Sequence, residues 1–454
     1  MIEGRSIDHI PEAERHGGIG SQFTLWFGNN LQITAVVTGA LAVVLGGDVF
    51  WSLIALLIGQ LLGGAVMALH GAQGPQLGLP QMISSRVQFG VYGATIPIIA
   101  VCLMYVGFSA GGSVLAGQAM AKLLGLDEAL GILAFGAVIV GVTFCGYRLI
   151  HMIGRAMSAV GACAFLFMFA SLLANNDIGA LLAENRHFTI NSFLLAMSLS
   201  ASWQIAYGPY VADYSRYLPS DTPPARTFLA VGAGSVLGTQ ISMTFGVFAA
   251  ALAGASFEHH EVDYIVGLGS GGAVAGLLFF CVAFGKVMAT SLNAYGSFMS
   301  MATIVSGFRP GLRVTKAQRL GTILLMVGIS IGLALAGRHS FPKDFQAFIL
   351  FLLTLFTPWS AINLVDYYFV TRSRYDIAAL SDPDGVYGRW NATGIIVYFI
   401  GVAAQMPFIA TGFYTGPLAS WFGGADISWI VGLTLPALLY YAAASRPVRR
   451  QQAG

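Results

Sequence analysis

Lys286, Thr290, Asn293 and Ser297 recur at spacings of four, three and four within an otherwise apolar stretch. On a helix they share one face, with Lys286 and Asn293 about 10 Å apart along the axis. A lysine this far from either end of an apolar segment could carry a proton or stand as a fixed charge in a cation's place. Trp203 and Gln204 stand just before a Gly208-Pro209 pair. A flat indole beside an amide that both donates and accepts suits a planar heterocycle, and Gly-Pro predicts that the helix carrying them is kinked or unwound. A third group is Trp26-Phe27-Gly28-Asn29-Asn30-Leu31-Gln32, where a glycine and three amides open an apolar segment. A break there would offer carbonyls to a cation or a polar substrate, whereas the plainer reading is helix–helix hydrogen bonding by Asn29 and Asn30. Tyr105 and Ser109, four residues apart, share a helix face beside Gly107 and Gly111.

The elements that must hold these groups are membrane spans. The chain has 454 residues, 56% hydrophobic and only 9% charged, with a mean hydropathy of +0.74, where a soluble protein is about 25% charged. Twelve apolar segments are long enough to cross the hydrocarbon as helices: near 23–47, 50–69, 92–120, 129–147, 154–174, 190–212, 226–254, 270–304, 319–337, 345–370, 392–411 and 427–444. The resulting loops place seventeen basic residues on one side and four on the other, with Lys286 completing the 22. The bias predicts a cell (inner or plasma) membrane protein with both termini cytoplasmic. The polar start, Met1–Ser21, lacks the apolar core of a cleavable signal. Glycine pairs at 59/63, 107/111, 234/238 and 272/276 predict close helix crossings. The four cysteines, 102, 145, 163 and 281, read as small buried hydrophobes without metal or disulfide spacing.

The first and sixth spans are thus both interrupted, five spans apart, which points to an inverted-repeat transporter with its site between two broken helices. The residues alone reach a transporter for a small, planar, polar solute. A membrane-embedded enzyme should cluster His, Asp or Glu inside spans, but the histidines fall at segment ends and loops. A channel should show a filter loop or rings of charge, and a nucleotide-binding loop is missing. Neither a cofactor nor a nucleic-acid partner is expected; the lipid bilayer is, and a single chain should suffice.

Three stretches resemble the nucleobase–cation symporter family 1, in its purine–cytosine permease branch. They are Gly74-Pro75-Gln76-Leu77-Gly78-Leu79-Pro80-Gln81-Met82 with Ser85-Arg86 and Phe89-Gly90; Tyr207-Gly208-Pro209-Tyr210-Val211-Ala212-Asp213-Tyr214-Ser215-Arg216-Tyr217-Leu218-Pro219; and Pro358-Trp359, Val365-Asp366-Tyr367-Tyr368, Tyr375-Asp376 and Tyr387-Gly388-Arg389-Trp390-Asn391. The resemblance implies an all-α polytopic protein of twelve helices with a LeuT-type 5+5 inverted repeat: a tail over 1–21, a first repeat over 22–175, a second over 176–371, accessory helices over 372–445 and a tail over 446–454. It implies import of a nucleobase, cytosine or a purine, by alternating access on a cation gradient, proton or sodium. Hydantoin or allantoin, uracil and a thiamine-like vitamin are the alternatives.

Carried over residue by residue, the resemblance puts Tyr105, Ser109, Trp203, Gln204 and Asn293 at the substrate, joined by Asn30 from the first span. Gly28, Asn29, Lys286 and Thr290 fall to cation coupling. The chain departs from the family's pattern at Gly285-Lys286-Val287-Met288-Ala289, where sodium-coupled members carry small hydroxyl residues, and so proton coupling or a built-in lysine cation is expected. Asp213–Arg216 and Asp366–Tyr367–Tyr368 are expected to be structural or gating elements.

Overall fold

The computed structural model describes residues 8–445 apart from 146, 185, 258, 259, 270, 310–314 and 413. The tail over 446–454 and the first seven residues lie outside them. The helices, in chain order, are α1 (Ile19–Asn30), α2 (Ile33–Val44), α3 (Val49–Gly71), α4 (Gly74–Leu77), α5 (Gln81–Phe89), α6 (Thr95–Leu124), α7 (Glu128–Cys145), α8 (Tyr147–Asn175) and α9 (Ile178–Ala183). They continue as α10 (Ile190–Ile205), α11 (Ala212–Ser215), α12 (Pro224–Ala253), α13 (Glu261–Gly269), α14 (Gly272–Phe308), α15 (Lys316–Gly337), α16 (Phe341–Val365), α17 (Ala392–Gln405) and α18 (Ser428–Ala444).

Among the described residues, five helical runs are long and apolar enough to cross a membrane, and α1 with α2, bent by 59° at their junction, makes a sixth. One of the five, Ala317–Val370, is divided by a 3-10 turn at Arg338–Ser340. Shorter apolar helices occupy Glu128–Val142, Ala159–Asn175, Ala392–Phe408 and Ser428–Ala444. Leucines at the rim, such as Leu229, Leu325 and Leu438, are exposed, as a lipid-facing surface requires.

Both interrupted helices rest on glycine. Gly234 and Gly238 of α12 lie under the backbone of α1, where an added Cβ would overlap the carbonyls of Phe23 and Phe27. Gly59 and Gly63 of α3 do the same for α10, against the carbonyls of Met197 and Ala201. Without side chains in the way the helix axes approach closely, and dispersion contacts replace the missing hydrophobic drive. The pair Gly107/Gly111 receives Phe348 and Phe345 instead, and Gly272 and Gly276 face open space. That last pair makes no crossing, contrary to expectation. Of the cysteines, Cys281 is buried and Cys102 half-buried, while Cys163 is exposed on the outer surface, not buried as expected; the Cys145 side chain lies outside the description.

The first described residues and the last helix meet the same end of the bundle. The backbone N–H of Ile10 donates to Gly78 O and that of His16 to Tyr217 O. The Tyr440 hydroxyl near the end of α18 donates to Asp366 (3.0 Å), which also accepts from Gln88 of α5 (2.9 Å). The backbone N–H of Gln81 at the start of α5 donates to Asp213 on α11 (2.8 Å).

Candidate functional site

The break between α1 and α2 is made by Leu31 and Gln32, which leave helical geometry, Gln32 being fully extended (φ −147°, ψ 153°). A helix end leaves carbonyls without intrahelical partners, and here side chains satisfy them. Gln32 Nε2 donates to Asn29 O (2.8 Å), and Ser242 Oγ of α12 donates to Asn30 O (2.6 Å). The second break runs from Ile205, the last residue of α10, to Ala212, and holds Gly208 and Pro209. Both interruptions stand where the amides and the Gly-Pro pair predict them.

Two contiguous cavities lie between the breaks and α14. The larger, about 400 Å³, runs between α1, α8 and α14; the smaller, about 70 Å³, reaches inward to α6 and α10. Asn29, Gln32, Tyr210 and Lys286 line both. On one wall of the inner chamber Trp203 meets Phe108 edge to face (ring centres 5.8 Å apart) and Tyr207 likewise (6.0 Å). Another part of its lining is the α14 face carrying Lys286, Thr290 and Asn293. The Asn293 side chain makes no hydrogen bond to another described residue, so its donor and acceptor remain available to a ligand.

Lys286 closes a triangle with the α1–α2 break. Its Nζ donates to Gln32 Oε1 and to Thr34 Oγ1, both at 2.7 Å, and Thr34 Oγ1 donates to Gln32 Oε1 (2.9 Å). Both acceptors are neutral, and among the described residues no carboxylate pairs with this amine. The helix face predicted from spacing therefore does bring Lys286, Thr290 and Asn293 to the lining of one cavity that Trp203 and Asn29 also line, with Gly28 at the larger cavity.

Four other sequence-predicted residues line neither cavity. Asn30 is fully buried and its amide is saturated: Nδ2 donates to Trp26 O (2.7 Å) and Ser235 Oγ (3.1 Å), and Oδ1 accepts from Trp203 Nε1 (2.8 Å) and the Tyr207 hydroxyl (2.9 Å). Gln204 is turned to α12, donating to Thr239 Oγ1 (3.1 Å) and accepting from Ser235 Oγ (2.6 Å). Tyr105 packs against Tyr210 (5.8 Å) and over Gly296, where an added Cβ would lie 2.5 Å from its ring. Ser109 is buried, its hydroxyl without a partner among the described residues. Gln32, Thr34, Phe108, Tyr207 and Tyr210 enter the walls without having been assigned a role at the site. Gln32 belongs to the interrupted stretch and the two tyrosines flank Gly208-Pro209, so a signal existed for them. None existed for Thr34 and Phe108.

A second polar cluster surrounds α5. His70, at the end of α3, stacks on Trp359 (4.6 Å) and bonds Ser360 Oγ (3.1 Å). Gln73 Nε2 donates to Asn363 Oδ1 (3.0 Å), Gln81 Nε2 to Gln73 Oε1 (3.2 Å), and Asn363 Nδ2 to Gln88 Oε1 (3.3 Å). Asp366 accepts from Gln88, Tyr375 (2.8 Å) and Tyr440. Burial and then the Asp366 charge push the Tyr375 phenol well up. Arg86 donates to the carbonyls of Leu380 (3.0 Å) and Thr303 (2.9 Å), and burial brings its guanidinium down to about 10. Asp213 and Asp366, expected to be structural or gating elements, both stand in contact with α5.

A helical bundle with two interrupted helices enclosing a ring-sized cavity defines a multi-pass membrane transporter. Residues 9–432 match the family of permeases for cytosine/purines, uracil, thiamine and allantoin, and the chain belongs to that family. It is 39% identical, over all of its own length and 98% of the relative's, to the putative purine-cytosine permease YxlA of Bacillus subtilis. Its fold is similar to that of Mhp1 in its inward-facing conformation (TM-score 0.75, 21% identity, 97% of this chain and 92% of that one). Mhp1 in a closed conformation with bromovinylhydantoin bound, a nucleobase-cation-symport-1 family transporter, gives a TM-score of 0.72 at 19% identity, over 97% and 95% of the two chains.

Proposed function

We propose that this protein is a secondary active transporter that imports a nucleobase, cytosine or a purine, by alternating access on a proton gradient, with Lys286 in the place of a bound cation. The observation that carries the reading is the cavity between two helix breaks, lined by Trp203 and by Lys286, Thr290 and Asn293. A planar base stacks on the indole face, while Asn293, which has both a donor and an acceptor free, reads its edge. The lysine triangle supports coupling. A compact cationic head is held by two neutral oxygens at the point where α1 gives way to α2, so loss of its proton would loosen α14 from that break. Neutral partners make deprotonation possible; a carboxylate partner would hold the charge in place. Twelve spans, two five-helix repeats and cytoplasmic termini in the cell membrane complete the proposal, supported by the paired breaks and by the loop charge bias.

The test is uptake of radiolabelled cytosine, adenine, hypoxanthine, uracil and allantoin into proteoliposomes under separately imposed proton and sodium gradients. Saturable uptake of cytosine or a purine on the proton gradient is expected. Uptake that requires sodium and ignores protons refutes the coupling; uptake of none of the five refutes the substrate class.

A further inference from the structure

Lys286 is the one charged side chain on the walls of either cavity among the described residues. The titratable groups facing it are phenols and a thiol: Tyr207 and Tyr210 from the second break, Tyr214 from α11 and Cys281 from α14 itself. From α2 it meets Thr34, and from α6 it lies beside Gly112, whose Cβ position is 3.7 Å from the lysine stem, with the uncharged Met104 and Phe108 on the same cavity wall. Asp213, whose charge reaches Tyr105 and Tyr210, lies off both walls and accepts from the Gln81 backbone. A ligand in this space therefore meets a positive charge that no wall carboxylate cancels. The triangle occupies two of the ammonium's three N–H bonds, leaving one donor for a ligand.

Resting on the transporter reading above, we infer that the site selects by charge: it takes neutral and weakly acidic ring lactams, as the neutral form or the anion, and rejects rings bearing a fixed positive charge. The remaining N–H of Lys286 donates to a ring carbonyl, and more strongly to a deprotonated lactam. A thiazolium such as that of thiamine cannot shed its charge and would face the ammonium across a few ångströms of poorly screened space. At such separations like charges near a protein surface repel enough to lower affinity on the order of 100-fold or more. Thiamine, one of the solutes of this family, is thereby excluded from this member.

The experiment is equilibrium binding to the purified full-length protein, with radiolabelled cytosine, xanthine and thiamine each measured directly and in competition. At a fixed pH below neutrality, where the lysine is charged, the wild type is expected to bind cytosine and xanthine, with thiamine weaker by about 100-fold or more. In Lys286→Gln the discrimination against thiamine should narrow at least tenfold. Ala289→Glu, which adds a carboxylate to a position lining both cavities, should narrow it likewise and serves if the lysine variant does not fold. Thiamine binding as well as cytosine to the wild type overturns the inference and leaves the transporter reading intact, as does discrimination unchanged in both variants. Binding of xanthine without cytosine changes the base and upholds the charge rule. Binding of no ring overturns both.

Discussion

The α14 wall of the cavity and the cluster around α5 are built from the same residue types and behave oppositely. Around α5, Gln73, Gln81, Gln88, Asn363 and Asp366 bond one another, with Gln81 Oε1 the one buried side-chain oxygen among them left without a described partner, and none of them lines either cavity. On α14, Asn293 has no described partner and Lys286 retains a donor, and both face open space. Buried polar groups are costly unless paired. A network so largely paired therefore specifies one packing of the helices that meet there, whereas an unsaturated wall next to a cavity is poised for a ligand. The α5 cluster ties α3, α11, α14 and α16 together at the face that Ile10, His16 and Tyr440 also reach, and the cavity lies where two helices are interrupted. One region holds the helices in register; the other leaves room between them.

Substitutions that orphan partners should separate the two regions most sharply. Asp366→Ala leaves Gln88, Tyr375 and Tyr440 without their acceptor and should cost about 3 kcal/mol or more in stability. A thermal melt of the purified protein reads that loss, and the apparent KM of the surviving protein should be unchanged. A raised KM without a lowered melting point would erase the contrast between the regions. The adjacent asparagines sharpen it next. Asn30→Ala removes four hydrogen bonds and should lower stability by about 2 kcal/mol, whereas Asn29→Ala, exposed at the cavity, should leave the melt in place and weaken uptake. Equal melting behaviour of the two variants would show that the break does not depend on the buried amide. On the α14 wall, Asn293→Ala should weaken base binding by about 1 kcal/mol, a several-fold rise in KM, with no stability change because no protein partner is orphaned. The smallest effect belongs to Gly276→Ala, which meets open space and should fall within about 0.5 kcal/mol of wild type. Gly238→Ala, which presses on the α1 backbone, should fall well outside that range.

Several features were legible along the chain because they are local. Apolar runs announce spans through length alone, and Gly208-Pro209 with the amides of residues 29–32 announce the two interruptions through backbone chemistry. The spacing 286, 290, 293 announces one helix face because the helix repeat is fixed. Other predictions depended on what the side chains meet. Asn29 and Asn30 are indistinguishable as letters, yet one faces the cavity and the other is enclosed by Trp26, Trp203, Tyr207 and Ser235. Gln204 turns to α12 while its neighbour Trp203 lines the chamber, since residues one apart on a helix point some 100° away from each other. Gly272 and Gly276 keep the spacing of a helix crossing but have no helix to cross.

By itself, then, the sequence determined a polytopic helical membrane protein with two broken spans and a lysine-bearing face, because length, hydropathy and helical period are properties of single segments. Only the tertiary structure decided which amides are consumed by neighbouring helices, that Gln32 and Thr34 hold Lys286, and that Tyr105 and Ser109 stand off both cavity walls. Hydrogen-bond satisfaction is a property of pairs, and the partners of Lys286 lie up to 254 residues from it along the chain.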